Sequence, residues 1–451
     1  SMLILAFALM PAAALEDGTY VPNRLMVKFM PGVDDASRLA IHERFGGRVM
    51  KNFRLDADLQ LIVFPEGSDV DALMTKYKAF SEIRYAEPDF LYSISIEPND
   101  ARFGDLWGMH NIGQSGGLVD FDIDAPEGWD INTDASNVVI GSIDTGVDED
   151  HEDLAANMWV NPGEIPGNGV DDDNNGYIDD VDGWDFLGND PIAQDDHDHG
   201  SHTMGTAAGV GNNGIGVAGV AWSAKIMRLK ICNQFGSCTG SAAVSATDYA
   251  TENGAAMTSN SWGGGGYSQA MKDAIDRADA AGVLYVAAAG NNGRNIDSSP
   301  FYPASYDSPN VLSVANVTRF GSRSSSSNYG AVSVDLGAPG SSIWSTTRNS
   351  GYKSFSGTSM ACPHVTGALA NIMGFNPTLG HLDYRDIIFQ SVVPADSMAG
   401  VTVTGGVLNL KQALDLTPPL EIPADNTSPI ADAGGPYKGR AFRPITFDAS
   451  G

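Results

Sequence analysis

The chain alternates short apolar runs with amphipathic stretches, and the character of this pattern changes near residue 98. Between residues 19 and 97, four strand-like runs flank two stretches with apolar residues at helical spacing, 35–45 and 70–80. The strand-like runs read RLMVKF, RVMKNFRL, LQLIVF and IRYAEPDF. The order βαββαβ predicts a small ferredoxin-like α+β domain with two helices on one face of its sheet. An ordinary α+β binding module has the same pattern, so the pattern leaves the role of this segment open.

Beyond residue 98 the apolar runs become nearly continuous, as in VVIGSID, KIMRLKI, AAMTSNSW, VLYVAAAGN and VLSVANV. Helical stretches lie between several of them, for example 241–253 and 268–281. Apolar strands that alternate with helices predict an α/β fold with a mostly parallel sheet covered on both faces. In such sheets the active site lies beyond the carboxyl ends of the strands. Two of these strands lead into Asp144 and Asn291, which are therefore candidate functional residues.

The composition of the chain, above all its net charge, excludes some classes of binding partner. The formal net charge is −30, from 26 Lys+Arg against 56 Asp+Glu. Recognition of nucleic acid or of an anionic membrane needs clustered basic residues, so neither is the expected role. A hydrophobic content of 42% excludes global disorder, and three cysteines are too few for a disulfide scaffold. We expect the protein to be a monomer and to bind neither nucleic acid nor a membrane.

The two ends of the chain carry segments with distinct compositions. Residues 1–15 contain an apolar run followed by Ala12, Ala13 and Ala14, which predicts a secretory signal and an extracellular protein. A short buried strand or helix is the alternative, since ten apolar residues cannot span a bilayer. Residues 417–428 are rich in proline and predict an extended linker. Residues 429–451 are too few to fold alone.

Three strings carry residues suited to nucleophilic catalysis. IDTGVDEDHEDL contains Asp144, DHDHGSHTMGTAAG contains His199, and FSGTSMACPHVTGALA contains Ser359. A serine hydroxyl needs a nearby base to take its proton, and a carboxylate can orient that base. Apolar residues at helical spacing follow Ser359, so we predict it at a helix N-terminus, where developing negative charge is favoured. Taken singly, the aspartate could cap a helix or bind a metal, and the histidine could be structural.

In their order and local sequence these three strings resemble those of the subtilisin-like serine proteases (subtilases), and the similarity extends over residues 99–416. The resemblance implies a three-layer subtilisin-like catalytic domain over 98–416 that hydrolyses peptide bonds through Asp144, His199 and Ser359. It assigns the role of base to His199 rather than to His202, and oxyanion stabilisation to Asn291. A catalytically silent, matrix-binding scaffold of the same fold is the alternative from another functional class.

The string SNSWGGGG resembles the segment with which subtilases bind the substrate backbone as an added β-strand. The resemblance implies that one pocket accepts the side chain preceding the cleaved bond. Ser261, Trp262 and Gly263 would line one side of it, and residues 288–291, among them Ala289 and Gly290, would line the other. We interpret the glycines as room for a backbone or a large side chain. Phe301 lies near the position where the family closes this pocket.

Acidic residues are concentrated in one region. Residues 144–198 hold 18 Asp+Glu, and residues 103–224 contain neither Lys nor Arg. Oxygen-rich clusters of this kind favour calcium, although a merely solvated acidic loop is the alternative. The string DDDNNGYIDDVD has EF-hand-like spacing with an aspartate at its twelfth position, and its predicted ligands are Asp171, Asp173, Asn175, Tyr177, Asp179 and Asp182. The subtilase resemblance implies a second calcium site, with ligands Asp100, Asp153, Gly211, Asn213, Ile215 and Val217.

The cysteines suggest one small closed loop. Cys232 and Cys238 bracket the string NQFGS, and in a secreted protein a disulfide is favoured there over two free thiols. Cys362, three residues after Ser359, is interpreted as a buried small hydrophobe. A cysteine nucleophile is the alternative, but the surroundings of Ser359 fit that role better.

The subtilase resemblance also reinterprets the flanking segments. Residues 19–97 resemble the inhibitory propeptide of the family, which assists folding and lays its last strand in the active-site cleft. The protein would then be a zymogen whose partners are peptide substrates and its own propeptide, cleaved between Ser93 and Asn99. Residues 429–451 resemble the start of a PKD-type β-sandwich.

Overall fold

The computed structural model describes residues 20–90 and 96–420. The contacts divide the chain into two compact units, one on each side of the boundary between residues 94 and 95. The expected signal segment (1–15) and the PKD-like segment (429–451) lie outside the described residues. Residues 421–428 of the expected linker and residues 93–95 of the expected cleavage interval do so as well.

The N-terminal unit has the predicted element order βαββαβ. Its elements are β1 (Tyr20–Phe29), α1 (Asp35–Arg44), β2 (Arg48–Phe53), β3 (Asp56–Val63), α2 (Val70–Lys78) and β4 (Ile83–Phe90). The strands pair antiparallel in the order β2-β3-β1-β4. Each helix begins after an aspartate that accepts a hydrogen bond from its first turn, Asp34 from the Ser37 N–H and Asp69 from the Ala72 N–H. The expectation of a separate α+β unit with its own sheet is confirmed.

The C-terminal unit is built on a nine-stranded sheet. Its elements up to the middle of the unit are α3 (Ala125–Trp129), β5 (Val139–Asp144), β6 (Gly183–Asp185), α4 (His199–Ala208), β7 (Lys225–Lys230), α5 (Gly240–Glu252), β8 (Met257–Asn260), α6 (Gln269–Ala280) and β9 (Leu284–Ala288). There follow β10 (Val311–Val317), β11 (Leu336–Pro339), β12 (Ile343–Thr347), β13 (Gly351–Phe355), α7 (Thr358–Phe375), α8 (His381–Gln390), β14 (Val393–Pro394), β15 (Gly406–Val407) and α9 (Leu410–Leu416).

The strand order of the large sheet is β14-β15-β11-β10-β9-β8-β5-β7-β6, and all its pairs are parallel except β14 with β15. Buried side chains alternate between its faces: Ile140 packs with residues of α4 and α7, whereas Ile143 packs with residues of α5 and α6. The expected α/β fold, a mostly parallel sheet between two helical layers, is therefore confirmed.

This sheet determines where polar residues meet. Parallel strands end at a common edge, and Asp144 is the last residue of β5. His199 opens α4 and Ser359 is the second residue of α7, so both lie in first helical turns. In the part of the chain that the structure describes, no helix combines the length and apolar character that crossing a bilayer requires.

Candidate active site

Asp144 and His199 are directly bonded. The Asp144 carboxylate is only 3% exposed, and its Oδ1 accepts hydrogen bonds from His199 Nδ1 at 2.7 Å and from the Thr145 N–H at 2.7 Å. The other oxygen, Oδ2, is buried without a hydrogen-bond partner among the described residues. A bond to Nδ1 fixes the tautomer in which Nε2 of His199 is free to take a proton.

The environment of His199 favours its protonated form. Burial opposes charge on the imidazole, but the Asp144 carboxylate, its hydrogen bond and the more distant Asp195 outweigh burial and raise the pKa of His199. Since an imidazole acts as a base only when neutral, this arrangement requires a pH above the raised pKa for proton abstraction.

Ser359 shares one cleft with this pair. The cleft is lined by Asp144, His199, Asn291, Thr358 and Ser359, together with residues of the segments discussed below. In this structure the Ser359 hydroxyl donates to the carbonyl oxygen of Ser261 at 2.9 Å rather than to His199. The side chain must therefore rotate to reach His199, which is a common difference between free and substrate-bound sites.

Asn291 is oriented by the start of α7. Its Oδ1 accepts from the Thr358 N–H at 2.8 Å and from Thr358 Oγ1 at 3.2 Å. Since the amide oxygen is held in this way, Nδ2 is the end that can donate into the cleft. The N–H of Ser359 lies in the first turn of α7, where backbone donors have no intrahelical acceptor. The two groups can supply the donors that an oxyanion requires.

The competing candidates for base and nucleophile are unsuited to those roles. His202 is fully buried, its Nε2 lies 3.0 Å from the Ile343 carbonyl oxygen and 3.1 Å from that of Lys353, and burial lowers its pKa to about 3. Cys362 is fully buried, and burial raises the pKa of its thiol to about 11. A thiol with that pKa is not ionised near neutrality, so it does not act as a nucleophile.

The sequence interpretation missed Asp195, whose buried carboxylate connects the two sides of the site. Oδ1 accepts from Thr145 Oγ1 at 2.8 Å and from the backbone N–H groups of His197 and Asp198 at 2.8 and 3.1 Å. Oδ2 accepts from the N–H and the hydroxyl of Ser201 at 3.0 and 2.7 Å. Thr145 directly follows Asp144, and Ser201 belongs to the helix of His199. Asp195 is one of 18 acidic residues in that region of the sequence, so no local signal distinguished it.

The predicted substrate segment flanks Ser359. The Ser261 hydroxyl donates to the Ser359 carbonyl at 2.8 Å, and Ser261, Trp262, Gly263 and Gly290 line the cleft. Ala289 is different: it is fully buried, and its carbonyl oxygen accepts from Asn328 Nδ2 at 2.8 Å. Ala288, its neighbour in β9, lines the cleft in its place, because alternate residues of a strand face opposite sides.

The cysteine pair borders the same cleft. Cys232 and Cys238 form a disulfide that closes the loop between β7 and α5, and both residues line the cleft. Gly236 of this loop lies beside His197. The loop therefore contributes one wall of the site, which its sequence position alone does not indicate.

Asp153 and Asp100 fit the metal site implied by the resemblance. Asp153 is fully buried, and it accepts from Asn213 Nδ2 at 2.8 Å, from the Val217 N–H at 2.8 Å and from Tyr352 Oη at 2.9 Å. Asp100 accepts from the Asn212 N–H at 2.7 Å, while its Oδ1 is buried without a partner among the described residues. An orphaned carboxylate oxygen beside a second buried carboxylate matches the oxygen ligands that calcium prefers. Gly211 and Ile215 belong to the same loop.

Near the acidic loop DDDNNGYIDDVD (171–182), the carboxylates that lie close together are not the ones that its EF-hand-like spacing predicts. Among the described residues, carboxylate oxygens of Glu164, Asp173 and Asp180 lie within 4.8 Å of one another. Asn175 joins them, since its Nδ2 donates to Asp173 at 3.1 Å and to Asp180 at 2.9 Å. Glu164 Oε2 is buried without a partner in the described part of the chain, which again fits a cation. Glu164 and Asp180 were not in the predicted set.

The remaining predicted positions of this loop do not join that cluster. Asp182 Oδ1 bonds Arg228 at 2.5 Å, and Asp179 accepts from the N–H groups of Asn168 and Gly169 at 3.0 and 2.9 Å. Asp171 accepts from the N–H groups of Asn175 and Gly176 at 3.0 and 2.9 Å. The ring of Tyr177 packs against Trp184, Phe186 and Tyr249. Three of the predicted carboxylates, Asp171, Asp179 and Asp182, are therefore engaged in turns or with Arg228 and are not part of the cluster of Glu164, Asp173 and Asp180.

Two family models match the chain: the subtilase family over residues 135–416 and the fervidolysin N-terminal prodomain over residues 8–89. Thermitase from Thermoactinomyces vulgaris is 40% identical over 245 residues, covering 54% of this chain and 77% of that protein. A thermophilic serine proteinase from Bacillus sp. (strain AK1) is 32% identical over 389 residues, covering 85% of each.

Solved structures show the same likeness. A protease structure from Pseudoalteromonas arctica PAMC 21717 has a TM-score of 0.60 and 28% identity, covering 71% of this chain and 99% of that chain. A cold-adapted subtilisin-like serine proteinase has a TM-score of 0.52 and 31% identity, covering 67% of this chain and 96% of that chain. The chain therefore belongs to the subtilase family of serine proteases, and it carries a fervidolysin-like N-terminal prodomain.

Proposed function

We propose that the chain is the precursor of a secreted, calcium-stabilised serine endopeptidase with Asp144, His199 and Ser359 as its catalytic triad. The observation that carries this proposal is the 2.7 Å bond between Asp144 and His199 in a cleft that also contains Ser359. Asn291, held by Thr358 at the same helix start, supplies the fourth element of the site.

The first half of the reaction forms an acyl-enzyme. The Ser359 hydroxyl turns from the Ser261 carbonyl to His199, whose Nε2 takes the proton while Oγ attacks the peptide carbonyl carbon. The charge that develops on the carbonyl oxygen is stabilised by the Ser359 N–H and Asn291 Nδ2. His199 then gives its proton to the leaving nitrogen as the C–N bond breaks.

The second half releases the product. His199, neutral again, takes a proton from water as the oxygen of that water attacks the ester carbonyl carbon. Collapse of the second tetrahedral intermediate returns the proton to Ser359 Oγ and frees the carboxylic acid. Throughout, the buried Asp144 carboxylate stabilises the imidazolium and keeps its orientation.

We place the functional parts as follows: an inhibitory propeptide over residues 19–97, removed by self-cleavage between Ser93 and Asn99, and a catalytic domain over 98–416. The match of residues 8–89 to a subtilase prodomain supports this division. Secretion rests on the signal-like composition of residues 1–15. Residues 429–451 are proposed to begin a PKD-type module.

Calcium is proposed as a structural ion. Asp100, Asp153 and Asn213 would hold one ion with loop carbonyls of Gly211, Ile215 and Val217, and Glu164, Asp173 and Asp180 would hold another. When bound, the ions would neutralise buried carboxylates and stiffen the loops that carry them. The catalytic steps use only residues of the chain itself.

The intact mass of the purified protein after incubation with calcium tests the proposal. We expect the wild type to lose the N-terminal segment and the Ser359→Ala variant to stay full length. The control is Ser356→Ala, an exposed serine three residues before the nucleophile, which should be processed like the wild type.

Two outcomes would contradict the proposal. If both wild type and Ser359→Ala stay full length and neither hydrolyses casein, the chain is a non-catalytic scaffold. If both are cut alike, a contaminating protease is responsible and self-processing is wrong.

A further inference from the structure

The space beside Ser359 that can accept a substrate side chain is a slot between two backbone segments. Ser261, Trp262 and Gly263 form one side, Ala288 and Gly290 form the other, and Ser359 stands at the mouth. In the substrate, the residue before the scissile bond supplies the carbonyl that is attacked. Its side chain is attached to the Cα atom that is bonded to this carbonyl carbon. With the carbonyl at Ser359, this side chain must point into the slot, so the depth of the slot limits its size.

The ring of Phe301 lies between the two backbone segments of this slot. A Cβ placed on Gly263 would lie 2.3 Å from Phe301 Cε1 and 2.8 Å from Cζ, and one placed on Gly290 would lie 2.8 and 2.9 Å from the same atoms. The tip of the ring therefore touches both backbone segments. The two glycines accommodate Phe301, and they do not leave the free space for a large substrate side chain that the sequence suggested.

Local contacts hold Phe301 in that position. Its N–H donates to Ser305 Oγ at 3.0 Å, and the carbonyl of the next residue, Tyr302, accepts from the Gly264 N–H at 2.8 Å. The Arg294 guanidinium lies 5.9 Å from the centroid of the ring. The half-buried ring also packs on the core between the sheet and helices α5 and α6. The backbone at Phe301 and Tyr302 is held by hydrogen bonds, and the ring is held by packing. Displacing the ring is therefore costly, because packing determines its rotamer.

We propose that Phe301 restricts this protease to substrates with a small residue, glycine, alanine or serine, immediately before the scissile bond. The proposal rests on the proposed function and deepens it by naming the substrate class. Phe301 acts by excluding volume, and it takes no part in the proton transfers.

The test uses the self-processed wild-type enzyme and four peptide amides that differ only in the residue before the scissile bond: glycine, alanine, leucine or phenylalanine. We expect kcat/KM for alanine to exceed that for phenylalanine by at least tenfold, since a single extra methylene in a pocket already discriminates by about 10–200-fold. In Phe301→Ala, kcat/KM for phenylalanine should rise at least tenfold and that for alanine should change less than threefold.

Two further variants keep the result interpretable. Phe301→Leu retains a bulky side chain and should keep the wild-type preference. It therefore still tests the proposal if Phe301→Ala fails to fold. Phe320→Ala removes an exposed phenylalanine outside the cleft and should leave the whole series unchanged. Cleavage sites in a denatured protein substrate, identified by mass spectrometry, provide the same preference without a chosen sequence.

A wild-type preference for phenylalanine or leucine would overturn the inference while leaving the protease function intact. A uniform change across the series in Phe301→Ala would also overturn it, since a purely structural role has that effect. If no peptide is cleaved and the wild type behaves like Ser359→Ala, the proposed function itself is wrong.

Discussion

At the scale of single residues, His199 is influenced by two carboxylates with different contacts. Asp144 bonds the ring directly, whereas Asp195 holds Thr145 and Ser201 on either side of it. Other acidic groups nearby are paired: Asp198 with Arg348 and Lys353, and Asp196 with Lys230. Among the described residues, Asp195 has no cationic partner within salt-bridge distance, so its charge acts on the imidazole.

Replacement of Asp195 by asparagine should change both the rate and its pH dependence. Loss of the negative charge lowers the pKa of His199, so the acidic limb of kcat/KM should shift to lower pH. The maximum should fall by about 10- to 100-fold, because an asparagine amide cannot accept all five hydrogen bonds and the site loosens. The measurement is a pH profile of peptide hydrolysis.

The matched control for this prediction is Asp386→Asn, which changes an exposed aspartate on α8 and should leave the profile unchanged. If Asp195→Asn lowers the rate with the acidic limb in place, Asp195 has a structural role only and its electrostatic role is refuted.

At the scale of elements, the N-terminal unit packs a histidine between its helices and its sheet. His42 of α1 is fully buried, with Nδ1 3.0 Å from Tyr77 Oη of α2 and Nε2 2.9 Å from Gln60 Oε1 of β3. Burial lowers the pKa of His42, the bond to Gln60 opposes this effect, and the nearby Arg38 adds to it. The folded unit therefore favours the neutral form of His42.

This unit should lose stability as the pH falls. The unfolded chain protonates His42 near its ordinary pKa of about 6.5, whereas the folded unit resists protonation, so the full stability is present above that pH and declines below it. The slope is at most about 1.4 kcal/mol per pH unit. Hydrogen exchange of residues 20–90 in the full-length Ser359→Ala chain, compared at pH 7.5 and 5.5, measures this loss.

A non-titrating variant isolates the histidine. His42→Gln should lower the overall protection but remove most of its pH dependence, whereas His110→Gln in the C-terminal unit should leave both unchanged. Equal pH dependence in His42→Gln and in the parent chain would show that other groups are responsible.

At the scale of the whole molecule, the net charge of −30 is concentrated where the chain has no basic residues. Arg228 and Lys230 of β7 neutralise part of this region, pairing with Asp182 and Asp196. Buried carboxylates such as Asp153 and Asp180 have no such partner among the described residues. They accept hydrogen bonds, but each also lies near other carboxylates, Asp153 near Asp100 and Asp180 near Glu164 and Asp173. We therefore expect divalent cations to stabilise this folded state.

Calcium should therefore raise the temperature of unfolding of the Ser359→Ala chain, and chelation should lower it. Binding contributes RT ln(1 + [L]/Kd), about 2.7 kcal/mol at a hundredfold excess over Kd. Asp153→Asn and Asp173→Asn should each remove part of the calcium-dependent shift in calorimetry. Asp307→Asn, with a side chain 92% exposed, is the control and should respond like the parent chain. A shift that is absent, or the same in all variants, would contradict both sites.

The sequence by itself determined the element order of the N-terminal unit and, in the C-terminal unit, the main apolar strands and several of the helices between them, because these strands and helices have distinct hydrophobic periods that local burial enforces. It also gave Asp144, His199, Ser359 and Asn291 as candidates, since each lies at a strand end or a helix start within a recognisable string. Short elements such as β6 and β14 were not predicted, because two or three residues carry no periodicity.

Only the tertiary structure decided which residues meet. Phe301 lies between Gly263 and Gly290, and Asp195 joins Thr145 to Ser201. The contacts of Phe301 with Gly263 and of Asp195 with Thr145 join residues that are far apart in the sequence. The acidic loop likewise gathers Glu164 and Asp180 rather than the residues at EF-hand spacing. Spacing predicts contacts only where the backbone is regular. In loops, hydrogen bonds and ion pairs with distant elements select the neighbours, and these partners become visible only when the chain is folded.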